Sequence, residues 1–267
     1  MTFWTLPLAF LLAAGLYSVL PVRAFLATVI RSFYNSVKKL LIRTAGEESA
    51  HLTPLLFLLF VTAIFCILGG IFEHVHPLMN ALLIAPLIDF PLFIREALSV
   101  REALEDGLCT TDEELAEYEQ RVMHAIGLLA EQTARNTLPL LMLCIVFTPF
   151  HLAPAAAWAF YAMRLCAAEG CSVSQKADEW LSRMGEYVLV WAILPTAALC
   201  GTELGMACRA RKQGVQPVLL NAVGVDPMLR RGHRPVTGDI SQSCLCVCLA
   251  MAVIYVPVMF LMVVLGG

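Results

Sequence analysis

The chain reads as an all-α membrane protein, a polytopic helical bundle with amphipathic cytoplasmic helices. Three observations predict this. Residues 2–22, 52–72, 137–163 and 244–267 each run at least 21 residues without Asp, Glu, Lys or Arg. A helix rises about 1.5 Å per residue, so about 20 apolar residues cross a ~30 Å hydrocarbon core. The composition agrees, with 59% hydrophobic residues and a mean hydropathy of +0.76. The charged connections carry helical periodicity, and no β pattern is visible.

The first run, 2–22, lacks a basic segment ahead of it and a clear small-residue cleavage site after it, so it is expected to be a span and not a leader. The second is 52–72. Residues 77–94 are apolar apart from Asp89, and 187–202 is shorter and uncharged. With 137–163 and 244–264 these make six expected spans in a single domain covering 1–267. The connection 23–51 carries Arg23, Arg31, Lys38, Lys39 and Arg43, and 203–243 carries Arg209, Arg211, Lys212, Arg230, Arg231 and Arg234. Short basic loops stay cytoplasmic. That places 23–51, 95–136 and 203–243 inside and 164–186 outside. Within 137–163, the segment Thr148–Pro154 holds Pro149, His151 and Pro154 and reads as a break. A re-entrant hairpin there would move 164–186 to the cytoplasmic side.

The connections are expected to be ordered. In 25–41, Phe25, Val29, Phe33, Val37 and Leu41 recur every fourth residue, with Arg31, Lys38 and Lys39 mostly on other faces. Such a helix suits an anionic membrane surface. Residues 91–106 continue as helix. Thr111 and Glu114 form a capping-box pattern ahead of a stripe of Leu115, Tyr118, Val122, Ala125, Ile126 and Leu129. Asp112, Glu113, Glu114 and Glu117 crowd its start, where the helix dipole favours negative charge.

The net charge of −3 points to no partner, and no basic tract with interleaved aromatics suggests nucleic-acid binding. Six of the ten cysteines lie in apolar runs, where a thiol packs as a small hydrophobe, and no C-x-x-C occurs. His74 and His76 share a turn without an evident third metal ligand. Three places could carry chemistry. Glu131, Gln132, Arg135 and Asn136 sit at a membrane boundary, where they could hold a polar substrate or metal–phosphate, or simply anchor a solvated helix end. The loop 226–239 brings Arg230, Arg231, His233, Arg234 and Asp239, whose arginines could grip phosphate or carboxylate or mark the cytoplasmic face. It is not a P-loop. Asp89, within an apolar run, is functional by default or an interfacial anchor. Asp89, His151 and broken helices would also suit a transporter, although no inverted repeat is visible.

The order of these features resembles the adenosylcobinamide-phosphate synthase (CobD/CbiB) family. Leu20-Pro21-Val22-Arg23 is similar to its early His-Pro-Val segment, and 107–114 sits where that family leads into a Glu-rich helix. Leu129-Ala130-Glu131-Gln132-Thr133 resembles its Leu-Ala-Glu-Asn-Thr motif. Gly232-His233-Arg234-Pro235 with Asp239-Ile240 resembles its terminal Gly-Asn-Arg-Pro and Asp-Ile. The resemblance implies amide ligation of adenosylcobyric acid to aminopropanol or its phosphate at the bacterial inner membrane, with ATP and Mg²⁺. It casts Glu131 and Asp239 as catalytic. It casts Gln132, Arg135, Arg230, Arg231, His233 and Arg234 as contacts to a corrinoid substrate. The bilayer is the other expected partner.

This chain departs from that pattern at Gln132 and Arg135, where the family has Asn and Asp, and at Arg164-Leu165-Cys166-Ala167, where it has Asn-Thr-x-Asp. Phe160-Tyr161-Ala162-Met163-Arg164 is similar to the Tyr-Ala-Phe-Leu-Arg of the AmpE-like branch, a non-catalytic regulatory alternative linked to β-lactamase induction or cell-wall sensing.

Overall fold

A computed structural model describes residues 4–19, 22–105, 111–199, 204–225 and 233–265. Among them the chain is predominantly helical, and the single β contact is an isolated bridge between Val225 and His233. The chain divides into two compact units, 1–91 with 139–181 and 92–138 with 182–267.

In the first unit, α1 (Thr5–Val19) is followed by α2 (Val22–Ala45), the basic amphipathic helix expected from its four-residue period. Next comes α3 (Thr53–Val75), the centre of this unit. One face of α3 is packed. Phe57 is fully buried against Tyr34 of α2, ring centroids 5.2 Å apart in a T-shape. Phe65 stacks on Trp158 at 3.9 Å, and the Trp158 indole donates to the Leu83 carbonyl at 2.8 Å. Pro154 packs beside Gly69, where an added Cβ would stand in ordinary contact, 3.5 Å from the Pro154 Cγ. The other face exposes Leu55, Leu59, Phe60, Ile64, Ile67 and Ile71. These recur at three- and four-residue intervals, so they form one apolar stripe that the described residues of this unit leave uncovered. The Thr62 hydroxyl turns back to the Leu58 carbonyl at 2.7 Å, which satisfies its polar group within the helix.

Residues 77–94 do not form the single span the sequence suggested. His76 is extended (φ −166°), Pro77–Met79 is a 3₁₀ turn, α4 covers Asn80–Ile84, Ala85–Leu87 is another 3₁₀ turn, and Ile88 is extended again. Then α5 runs Phe90–Glu105. Pro77, Pro86 and Pro91 each lack the N–H that a continuous helix needs, and Pro77 follows the extended His76.

Residues 137–163 are likewise not one helix. After α6 (Asp112–Gln132) and a π-helical turn over Thr133–Thr137, α7 covers Leu138–Phe147. A 3₁₀ turn over Thr148–Phe150 leads to α8 (Ala153–Ala168). The expected break is present. His151 adopts the left-handed conformation (φ 59°), which lets the Leu152 amide reach the Phe147 carbonyl at 3.1 Å. Its Nδ1 lies 2.5 Å from Glu73 Oε1. His74 and His76 are used locally, His74 with the Gly70 carbonyl and His76 with the Leu78 amide.

The expected connection 164–186 is mostly helical, because α9 extends from Ser172 to Leu199 with Pro195 inside it. The remaining elements are α10 (Leu204–Ala210), α11 (Val215–Ala222) and α12 (Thr237–Leu265). In the second unit α6 packs against α11 and α12. Its buried stripe is Val122, Ala125, Ile126, Leu129 and Ala130, close to the predicted one. The Thr111–Glu114 capping box forms as expected. Among the described residues three helical stretches are long and apolar enough to cross a membrane: Glu47–Val75, Asp112–Phe150 and Thr237–Val258. The described apolar part of α1, Thr5–Leu16, is shorter than a full span.

Candidate functional site

In the second unit, α9 presents Arg183, Glu186, Tyr187, Val190 and Trp191 on one face, the three- and four-residue spacing that aligns side chains along a helix. Across from them the turn after α10 supplies Arg211, Lys212 and Gly214. Together they line a cleft of about 460 Å³, within the usual range for small-ligand sites. Gly214 is at φ 112°, a conformation that a side chain resists, and it lets the chain turn sharply into α11.

The electrostatics of this cleft are lopsided. Three cations face a single acid, Glu186. That acid is engaged by Arg135, whose Nε lies 3.5 Å from Glu186 Oε1. The Arg211 guanidinium lies 5.9 Å over the Trp191 ring, and Trp191 meets Tyr187 edge-on at 6.2 Å. Neither Arg211 nor Lys212 has a carboxylate partner among the described residues. A guanidinium held by an aromatic face is oriented without being neutralised. Two unneutralised cations beside aromatic walls suit an anion carried on a partly apolar body.

Arg135 reaches this cleft from the π-helical turn. That turn inserts an extra residue into the helix and re-aims the side chains beyond it, with the Leu138 amide bonding back to the Thr133 carbonyl. Gln132 accepts from the Asn136 amide at 2.6 Å. The Thr133 and Thr137 hydroxyls are buried without a hydrogen-bond partner. Glu131 is half-buried and makes no hydrogen bond or ion pair among the described residues.

A second cluster forms at the start of α12. Asp239 is nearly fully buried; its Oδ2 accepts from the Val236 amide at 2.8 Å and its Oδ1 lies 3.5 Å from His233 Nε2. A carboxylate at the third helical position bonded to the amide just before the helix is half of a capping box. The Tyr118 hydroxyl accepts from the Thr237 amide at 2.9 Å, and Arg234 Nη1 lies 3.4 Å from Glu119 Oε1. Arg230 and Arg231 lie outside the described residues.

The structure therefore groups the expected site residues in two sets. Gln132 and Arg135 lie at the π-turn, with Arg135 reaching Glu186. His233, Arg234 and Asp239 sit at the foot of α12. Both sets attach to α6, but Glu119 and Arg135 are roughly 24 Å apart along its axis at 1.5 Å per residue. The sequence reading missed the cleft itself. In the sequence Arg211 and Lys212 read only as topology signals, and the visible clue was the four-residue repeat of Arg183, Tyr187 and Trp191.

The ATP and Mg²⁺ implied by the resemblance require oxygen ligands around the metal, usually one or two carboxylates with substrate phosphates. At the π-turn the described residues offer Glu131 and Glu186, and Arg135 already engages Glu186. No group of three or more His, Cys, Asp or Glu side chains suited to a metal occurs among the described residues. Among the described residues these donors do not compose a Mg²⁺–ATP site. No family model, curated protein or solved structure matches this chain. The described helices define an α-helical protein with three membrane-length apolar segments and a cationic, aromatic-walled cleft.

Proposed function

We propose that this chain is a multi-pass protein of the bacterial inner membrane that binds an anionic group, phosphate or carboxylate, without turning it over. The observation that carries the reading is the pair Arg211 and Lys212, without a carboxylate partner among the described residues, lining one cleft with Tyr187 and Trp191. Charge-assisted hydrogen bonds are the stronger ones, and at exposed side chains such as Arg211 and Lys212 solvent screening cuts each to about 1 kcal/mol or less. Trp, Tyr and basic side chains together also suit the headgroup level of a bilayer. This agrees with the AmpE-like, regulatory branch of the resemblance, a CobD/CbiB-like scaffold without the acids of its motif. The test is calorimetric titration of the detergent-solubilised protein with inorganic phosphate and with citrate. Saturable binding is expected, weakened at least ten-fold in Arg211→Ala/Lys212→Ala. An unchanged affinity in that folded variant, or no saturation by either anion, would remove the reading.

A second reading keeps the ligase. It is favoured by one feature, the His233–Asp239 contact at the element with the most specific resemblance. Supplied with adenosylcobyric acid, aminopropanol phosphate, ATP and Mg²⁺, an active enzyme forms the amide and loses that product in Glu131→Ala. The binding reading expects no amide from well-folded protein.

A further inference from the structure

The turn between α8 and α9 places two thiols together. Helix α8 ends in a Schellman motif. Gly170 takes the left-handed conformation (φ 91°), its amide bonds the Ala167 carbonyl at 3.1 Å, and the Cys171 amide bonds the Cys166 carbonyl at 3.0 Å. In this motif the side chains of the residues joined by the longer bond frequently come together. Here those two residues are both cysteine. The 3.0 Å bond keeps their Cα atoms within about 7 Å, the distance across which a cystine can close.

We propose that Cys166 and Cys171 form a dithiol oxidation site, in which Cys171 is the attacking thiol for a hydroperoxide and Cys166 the resolving thiol.

The two sulfurs have different environments suited to these roles. Cys171 is partly exposed and sits immediately before the first residue of α9, where amides with no helical partner point outward. The Ser174 hydroxyl, then the Ser174 amide, hold its thiol below the ordinary cysteine value. Cys166 is buried, with Sγ 3.7 Å from the Pro54 carbonyl oxygen. Burial, with help from neighbouring Cys171 and Glu169, pushes its thiol up to about 11. The thiol that meets solvent is thus the readier of the two to ionise and attack, and the buried one holds its proton more tightly. Tyr34 of α2 lies near enough to sense both thiols, and its hydroxyl is raised first by burial and then by Cys166, Glu169 and Cys171. Arg31 is drawn to Glu169 at 3.6 Å.

The chemistry balances. The Cys171 thiolate attacks one oxygen of the hydroperoxide and the O–O bond breaks. The departing alkoxide, or hydroxide for hydrogen peroxide, takes up the proton that Cys171 gave up, and a sulfenic acid remains. The Cys166 sulfur then attacks Cys171 Sγ, the S–O bond breaks, and water leaves carrying the Cys166 proton. The two thiols lose two electrons, and the hydroperoxide becomes an alcohol and water.

The experiment is mass mapping of the full-length solubilised protein after brief exposure to hydrogen peroxide and alkylation of remaining thiols. The expected result is a Cys166–Cys171 linked peptide, with loss of both thiols from the alkylated pool and recovery by a reducing thiol. In Cys166→Ser the link is absent and Cys171 is trapped by dimedone. In Ser174→Ala the pH midpoint for alkylation of Cys171 moves upward. The wild-type map decides the matter even if a variant fails to fold. Cys171 found dimedone-labelled but unlinked in the wild type, or left reduced, would overturn the proposal.

Discussion

Gly127 shows how much one hydrogen atom can decide. A Cβ built there would stand 2.5 Å from Gln216 Nε2, 2.6 Å from its Cδ and 3.1 Å from its Cγ. Two effects oppose each other in Gly127→Ala. Alanine favours the helix by about 1 kcal/mol, whereas overpacking costs about 1–3 kcal/mol. Because Cγ as well as the side-chain tip is in the way, Gln216 must swing out of its seat, and the second effect wins. Thermal unfolding in detergent is expected to show Gly127→Ala below the wild type, with Gln216→Ala restoring it in the double variant. A single variant that melts at or above the wild type would contradict this. At the residue scale the sequence shows chemistry but not partners. Arg135 stands out at a membrane boundary. Its acid, Glu186, is fixed only by the approach of α9, which no local spacing encodes.

At the scale of the element, α12 depends on its first turn. The buried Asp239 carboxylate accepts from the Val236 amide, and the Val236 carbonyl accepts from the Asp239 amide at 2.9 Å. Asp239→Ala removes the acceptor and leaves a backbone N–H without a partner, a loss of about 1–2 kcal/mol. Asp239→Asn keeps an oxygen in place and is expected to unfold close to the wild type. An equal loss in both variants would mean that the charge, and not the cap, matters. Elements whose signals are local were legible, as in the capping box of α6 and the four-residue period of α2. The failures share a cause. Hydropathy averages over a window and does not register the missing N–H of Pro77, Pro86 and Pro91 inside 77–94. The π-turn at Thr133–Thr137 was equally silent, since nothing in Thr-Ala-Arg-Asn-Thr separates an i→i+5 bond from the ordinary one.

For the whole molecule, a helical chain with membrane-length apolar segments was legible because it rests on the coarsest property of the chain, long stretches that water rejects. How those stretches bend was not, because a broken and an unbroken span have the same composition. The apolar surface argues for immersion over attachment. Helix α3 exposes seven large apolar side chains, Val75 with the six of its stripe, and α12 exposes Leu245, Val253, Val256 and Phe260. A peripheral helix such as basic α2 holds a bilayer partly through charge, which salt and high pH weaken. Helices with membrane-length apolar faces hold it by burial, at about 25 cal/mol per Å², and charge screening leaves that untouched. After alkaline carbonate extraction of membranes, the protein is therefore expected in the pellet and to be released only by detergent. Recovery in the supernatant would mean that the three long helices pack against something other than lipid.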